Sequence, residues 1–153
     1  MSQPGTFKPI RAAVAGFALA VALLAPRAAA AADGVPARVR VAKASRAAPA
    51  QIDPRLEDVR KQVSALAWQR WDLVSDQTPT LAQGKSTFID LPDGGQAALS
   101  IVEVRGEIVT IEVAMAQKNT QSRVTIEKGQ RIVHQVAKEK DGVALFIVVT
   151  PWP

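Results

Sequence analysis

Cysteine and tyrosine are absent from this 153-residue sequence, and histidine occurs once. Without cysteine the chain has no disulfides, no thiol nucleophile and no ligands for Cys-type zinc or iron–sulfur sites. A single histidine would leave a zinc site to be built almost wholly from carboxylates, which is unusual. The Gly-x-Ser-x-Gly, His-Glu-x-x-His, phosphate-loop and EF-hand patterns are missing as well. The sequence therefore predicts no catalytic residues, no metal site and no cofactor.

Residues 1–32 have the three parts of a secretory signal peptide. A positively charged start precedes the uninterrupted apolar run Ala12–Ala25, and small residues follow a proline. The run is too short to span a membrane, which needs about 20 apolar residues. We expect cleavage after Ala30 or Ala32, with Ala32 preferred, and the absence of cysteine excludes a lipoprotein. The sequence thus predicts an exported protein of the periplasm or the exterior.

The segment 33–52 is rich in alanine and proline and carries four basic residues against one acid. Its alternating part, 38–41, predicts a short edge strand, and a flexible linker is the alternative. The basic residues are candidate contacts for an anionic surface such as lipid headgroups, glycan or nucleic acid, although a solvated arm is the simpler interpretation. These candidates are Arg38, Arg40, Lys43 and Arg46.

The globular part is expected over residues 53–153 and begins with a helix. Asp53 is a good N-cap, Pro54 suits the first helical position, and one apolar stripe extends to Leu66. The spacing predicts a helix over Pro54–Ala67. The next segment, Trp68–Gln77, could extend the helix, but we favour a strand that leads into a turn.

From Leu81 onward the apolar residues recur with a period of two, which is typical of half-buried antiparallel strands. The continuous apolar run Val143–Val149 predicts a strand covered on both faces, hence a central one. The fold class is therefore α+β: one amphipathic helix followed by a mainly antiparallel β-meander, in a sandwich or a small barrel. The expected strands are Ser86–Leu91, Ala97–Val104, Ile108–Met115, a short one around Val124 and Ile126, Ile132–Ala137 and Val143–Val149.

Among the few titratable candidates, His134 falls on a predicted strand face, where a neutral histidine is the commoner interpretation. Glu103, Glu107 and Glu112 cluster around one hairpin and could supply an acid–base pair. Nothing in the pattern buries these acids enough to raise a pKa, so solvated strand faces account for them better.

The aromatic side chains of the globular part are few. Phe88 and Phe146 lie in apolar strands and are expected in the core, and Trp68 or Trp71 should pack on the sheet. Trp152 lies between two prolines, which cannot continue a sheet ladder. It either caps the end of the β-domain or offers an aromatic contact to a partner, and capping is slightly preferred.

The C-terminal run Val124–Pro151 resembles the closing strands of bacterial secretins, the outer-membrane gates. In that family a strand, a glycine-containing turn and a second strand lead to an apolar strand ending in Thr-Pro. The matching positions here are Gly129–Gln130, Ile132–Val133 and Val148–Pro151. Secretins follow the second strand with paired glycines, whereas this chain has His134–Val136. The resemblance implies a β-fold of related style and an envelope setting, without a pore.

Charge separates the leader from the domain. Removing residues 1–32 removes three basic residues and no acid, which lowers the net charge from +5 to +2. Residues 33–52 then carry +3 and residues 53–153 carry −1, which argues against a nucleic-acid-binding surface on the body.

We therefore expect a non-enzymatic binding or structural module of the bacterial cell envelope. Its partner would be another envelope protein or an anionic envelope polymer, with no transmembrane span after cleavage. The candidate contacts are Trp152 and the basic residues of the segment 33–52. The alternatives are an accessory of a secretion machinery and a small hydrolase that uses His134 or the three glutamates.

Overall fold

The computed structural model describes residues 34–153, so the predicted signal peptide lies outside the described residues. The described chain is mostly β-strand, with a short helical segment between the second and third strands and a 3₁₀ turn, Ala116–Lys118, between the seventh and eighth. The strands are β1 Val35–Ser45, β2 Gln51–Ile52, β3 Arg70–Gln77, β4 Thr80–Leu81, β5 Thr87–Asp90, β6 Gln96–Arg105, β7 Ile108–Met115, β8 Thr120–Glu127, β9 Ile132–Lys140 and β10 Val143–Pro151.

Two sheets form a sandwich. The larger sheet has the strand order β2-β3-β1-β10-β9, with β4 also paired to β1, and the smaller has the order β5-β6-β7-β8. All neighbours are antiparallel except β2 and β3, which run parallel. Within residues 34–153 the two sheets stay separate, so the sandwich is the correct one of the two predicted arrangements and the closed barrel is not.

The main hydrophobic core lies between the two sheets. Val39 of β1 and Ile147 of β10 come from the larger sheet, and Leu99 and Ile111 come from the smaller; all four are fully buried. Successive side chains of a strand point to opposite faces, so each strand contributes alternate residues to this core. The period-two pattern read from Leu81 onward is confirmed by these inward-facing positions.

Strand β1 differs most from expectation, because it is an interior strand and not the predicted edge strand or linker. It pairs with β10 along Ala37–Ser45 and with β3 on its other side. Val39 and Val41 face the main core, while Ala42 and Ala44 belong to a second buried cluster on the opposite face. Because β1 precedes the helical segment, the predicted order of a helix followed by strands is wrong.

The helical segment is shorter than predicted. It consists of a 3₁₀ helix, Pro54–Val59, and a single-turn α-helix, α1, Arg60–Ser64. The N-cap is confirmed, since the Asp53 side chain accepts a hydrogen bond from the Arg55 amide at 2.9 Å. The helix ends early because Leu66 is already 37% exposed and the Gln69 amide donates to the Ser45 carbonyl, which starts the pairing of β3.

The second buried cluster lies under the helical segment, on the outer face of the larger sheet. Leu56 and Val63 pack there against Trp71 and Phe146, whose ring centroids lie 4.8 Å apart. The core positions of Trp71 and Phe146 are thereby confirmed. Phe88 is the exception, because it lies on the outer face of the smaller sheet and is 58% exposed.

The prediction that residues 143–149 form a central strand is confirmed, since β10 lies between β1 and β9. A two-residue turn, Asp141–Gly142, joins β9 to β10, and both of its residues have positive φ, at 54° and 74°. Two left-handed residues are what the tightest antiparallel hairpins require, which explains the Asp-Gly pair. Over residues 34–153, no helix is both long and apolar enough to cross a membrane.

Candidate binding groove

The predicted basic segment is not an exposed arm. Arg38 forms a bidentate ion pair with Asp76 on β3, and Arg46 forms one with Glu139 on β9. The guanidinium of Arg38 lowers the pKa of the Asp76 carboxyl by hydrogen bonding. Both arginines are therefore neutralised by acids from other strands.

Arg40 is buried, with 1% exposure, so it is not available to a partner as predicted. Its guanidinium meets both carboxylate oxygens of Asp58, at 2.6 and 2.7 Å, and the Arg55 carbonyl at 2.8 Å. Arg131 adds a second guanidinium to Asp58, at 2.9 Å. The hydrogen bonds from Arg40 are the main cause of the lowered pKa of Asp58. This cluster ties the helical segment to β1 and to the turn before β9.

Arginines and lysines behave differently across the described chain. Within residues 34–153 every arginine forms an ion pair, whereas Lys128, paired with Glu107, is the sole lysine that does. The positive charge left unpaired in this part of the chain is therefore carried by lysines. Four of these lysines line one cavity.

That cavity, which we call the lysine groove, has a volume of about 340 Å³ at one open end of the sandwich. Its polar lining contains four lysines against two aspartates, so the positive charge is in excess. Val143 and Leu145 form part of an apolar floor. The charged residues of the groove are Lys43, Lys118, Lys138, Lys140, Asp93 and Asp141.

The strand pattern explains why lysines collect at this end. On β1 the inward-facing series Val39 and Val41 continues to Lys43, and that residue is exposed. Lys43 is paired with Leu145 of β10, which is in turn paired with Ala137 of β9. Beyond the last apolar inward-facing residues of these strands, lysines occupy the open end between the two sheets. Strands β1, β9 and β10 therefore form part of the groove, and turn residues such as Asp93, Lys118 and Asp141 complete it.

Two further cavities adjoin the groove and share residues with it. Lys43 also lines a cavity of about 450 Å³ that contains Arg46 and Arg70. On the other side, Lys118 and Lys138 also line a cavity of about 290 Å³ between β8 and β9. The three cavities form one basic band across this end of the molecule.

His134 lines the last of these cavities and is half-buried. Burial lowers the pKa of its imidazole, so the neutral form is favoured. None of the residues that line this cavity is an acid, so the cavity supplies no carboxylate to orient the imidazole as in a catalytic triad.

The three glutamates around the hairpin are separately paired. Glu103 accepts from Arg105 at 2.7 Å, Glu107 from Lys128 at 3.0 Å, and Glu112 from Arg123 at 3.0 Å. Hydrogen bonding, first from Gln121 and then from Arg123, lowers the pKa of Glu112. A general acid needs the opposite shift, so Glu112 does not resemble one.

Trp152 lies at the other end of β1 from Lys43. Its backbone amide donates to the Pro36 carbonyl at 2.8 Å, and its half-buried ring packs against the main core. This position agrees with the preferred interpretation as a cap. Of the residues selected from the sequence, Lys43 and Arg46 are thus brought to the basic band, and Arg38, Arg40 and Trp152 are not.

The sequence alone missed three lysines of the groove, at positions 118, 138 and 140. Lys138 and Lys140 lie on β9 and reach Lys43 through strand pairing, whereas Lys118 follows β7 and reaches it through the packing of the two sheets. A usable signal was the cluster Lys138–Lys140 directly after the buried residues Val136 and Ala137. Among residues 34–153 there is no group of three or more metal-ligating side chains.

Comparison of the chain with protein-family models, with curated proteins and with solved structures found no match.

Proposed function

We propose that this protein is a non-catalytic binding module of the bacterial cell envelope that holds an anionic polymer in the lysine groove. The observation that carries the proposal is the contrast between paired arginines and unpaired lysines. Within residues 34–153, four lysines that have no carboxylate partner converge on one concave surface, part of whose floor is apolar. Converging polar groups in a cleft are the usual form of a ligand site.

The chemistry of the groove selects for negative charge. Ammonium groups that have no internal partner lose no ion pair when an anion binds, whereas the paired arginines would lose theirs. Because the groove is open to solvent, its attraction is screened by salt and falls as ionic strength rises. A polymer with repeated charges fits several spaced lysines better than a single small anion does.

The cell-envelope setting is supported by the signal-peptide pattern of residues 1–32 and by the absence of cysteine, which leaves the domain independent of the redox state of its compartment. The non-catalytic part of the proposal is supported by the ion-paired glutamates and by the lack of an acid beside His134.

The experiment compares two charge-matched variants. Lys43→Gln with Lys138→Gln removes two charges from the groove, and Lys61→Gln with Lys85→Gln removes two exposed, unpaired lysines elsewhere. Fluorescence anisotropy with labelled polygalacturonate and with labelled inorganic polyphosphate reports affinity at low and high salt.

We expect the groove variant to weaken binding of both polyanions about tenfold at low salt, since each exposed charge pair contributes up to about 1 kcal/mol. The control variant should stay within about twofold of the unmodified protein. Equal losses in the two variants would show that net charge, and not the groove, attracts the polymer.

A further inference from the structure

We infer that the anionic polymer is a glycan, and that Trp68 is the platform on which one of its sugar rings stacks. This inference rests on the proposed function and names the ligand class of the same surface. A separate cavity of about 330 Å³ lies at the end of the helical segment. The lining residues are Ala50, Gln51, Ile52, Arg60, Ser64, Trp68 and Gln69.

Trp68 is held in place from two sides. Its ring meets Phe146 edge-on, with centroids 6.4 Å apart and an interplanar angle of 76°. The Arg46 guanidinium lies over the ring, 4.9 Å from its centroid. Arg46 lines the neighbouring basic cavity, whereas Trp68 lines this one, so Trp68 connects the two cavities through its contact with Arg46. The ring is half-buried, which gives it a defined orientation while part of it stays accessible.

The rest of the cavity has the polar groups that a sugar needs. Gln51 and Gln69 are both exposed and both line the cavity, and the backbone amide of Gln51 donates to the backbone carbonyl of Gln69 at 2.9 Å. A carboxamide offers two donors and one acceptor in a plane, which matches the paired hydroxyls of a sugar ring. A sugar also has an apolar C–H face, for which an indole ring is a suitable partner.

The cavity lies next to the basic band. The Gln69 amide donates to the Ser45 carbonyl at 3.1 Å, and Ser45 lines the cavity that also contains Lys43 and Arg46. A linear polymer that extends from the lysine groove past Arg46 therefore reaches Trp68. The charged groups of the polymer would lie along the lysine groove, and one of its sugar rings would lie on Trp68.

A single-stranded nucleic acid is the competing polyanion, because bases also stack on aromatic rings. Proteins that bind such strands stack successive bases on several aromatic side chains. Trp68 is the one Phe, Tyr or Trp residue among those that line this cavity and the three cavities of the basic band. One platform flanked by two carboxamides favours a sugar over a run of bases.

The test measures affinity for four probes: oligogalacturonate, inorganic polyphosphate, neutral dextran and oligothymidylate. Trp68→Ala should weaken oligogalacturonate binding about five- to tenfold and leave polyphosphate binding unchanged. Trp68→Phe should restore part of the affinity. Trp152→Ala is the control, since that ring is also half-buried but lies at the other end of β1.

Because Trp68→Ala also removes the contacts to Phe146 and Arg46, a second variant avoids a loss of folding. Gln51→Ala with Gln69→Ala changes exposed side chains only and should weaken oligogalacturonate binding selectively. Thermal unfolding of every variant verifies that the domain is intact. Dextran should bind no more than weakly, because it offers no charge to the lysines.

The two proposals fail differently. If Lys43→Gln with Lys138→Gln weakens both polyanions but Trp68→Ala and the glutamine variant change neither, the glycan inference is overturned and polyanion binding remains. If the lysine variant has no effect on any probe, the proposed function itself is overturned. Oligothymidylate binding that is tighter than oligogalacturonate binding and depends on Trp68 would assign the site to nucleic acid.

Discussion

The ion pair between Arg40 and Asp58 leads to an asymmetric prediction about stability. Arg40 is 1% exposed, whereas the Asp58 side chain is 37% exposed and has a second partner in Arg131 at 2.9 Å. Replacing the aspartate with asparagine leaves a buried guanidinium with neutral acceptors, such as the Arg55 carbonyl, but without the negative charge of Asp58. Removing the arginine leaves a hydrated carboxylate that is still paired. Both substitutions remove the ion pair between Arg40 and Asp58, but we expect them to lower the free energy of unfolding by different amounts.

Breaking a buried pair by removing one partner costs about 3–5 kcal/mol when the remaining charge stays buried. We therefore expect Asp58→Asn to lower the free energy of unfolding by about 3–5 kcal/mol. Arg40→Met keeps most of the side-chain volume and also removes the Nε donor, which is buried without a partner within the described residues. Exchanging a buried ion for a well-packed apolar group is often neutral, so we expect a change within about 1 kcal/mol.

Urea unfolding followed by tryptophan fluorescence measures both values, and equal m-values would establish that the comparison is valid. The double variant Arg40→Met with Asp58→Asn should recover most of the stability lost in Asp58→Asn, because no buried charge remains. The reasoning is refuted if Arg40→Met is as destabilising as Asp58→Asn, or if the double variant is no more stable than Asp58→Asn.

Two further predictions concern pH and the aromatic residues. Because burial lowers the pKa of His134 below its ordinary 6.5, the unfolded state binds more protons near pH 6, so stability should fall as the pH drops below about 6.5. The signal of the single histidine in proton NMR should titrate with a midpoint below pH 6.5, and a midpoint at or above 6.5 would contradict the buried position. His134→Gln should reduce the loss of stability between pH 6.5 and the lower pKa of the folded state. Trp71→Ala should cost about 3–5 kcal/mol in urea unfolding, whereas Phe88→Thr, at a residue 58% exposed, should stay within about 0.5 kcal/mol. A large loss in Phe88→Thr would place that ring in the core after all.

The strands after Leu81 were predictable because each buries one face, and burial of one face leaves a period of two in the sequence. Strand β1 was not, because both of its faces are covered. Arg38 and Arg40 lie on its outer face, at positions where the sequence pattern predicts exposure to solvent. Whether an arginine at such a position is solvated depends on Asp58, 18 residues away, and sequence spacing alone does not bring that acid close.

The other differences between prediction and structure also arise where the local sequence pattern does not decide the arrangement. Phe88 and Ile89 are adjacent and both apolar, so alternation alone does not decide which of them faces the core. The helix could be placed by its N-cap, but its end is decided by the pairing of Gln69 with Ser45, a contact made by β1. Likewise, one lysine of the groove was selected from the sequence because it lay in a basic segment, and the other three are assembled only by the fold.

The pairing of β1 with β10 has a consequence for the order in which the domain can form. Val39 and Val149 are direct neighbours in the sheet, although 110 positions separate them along the chain. Strand β10 pairs with β1 from Ala37 to Ser45 and contributes to the main core, so the larger sheet is incomplete until β10 is available. Contacts this distant in sequence make folding slow, because a long loop must close before they form. A chain that emerges from its N-terminus therefore lacks the complete larger sheet until β10 has emerged.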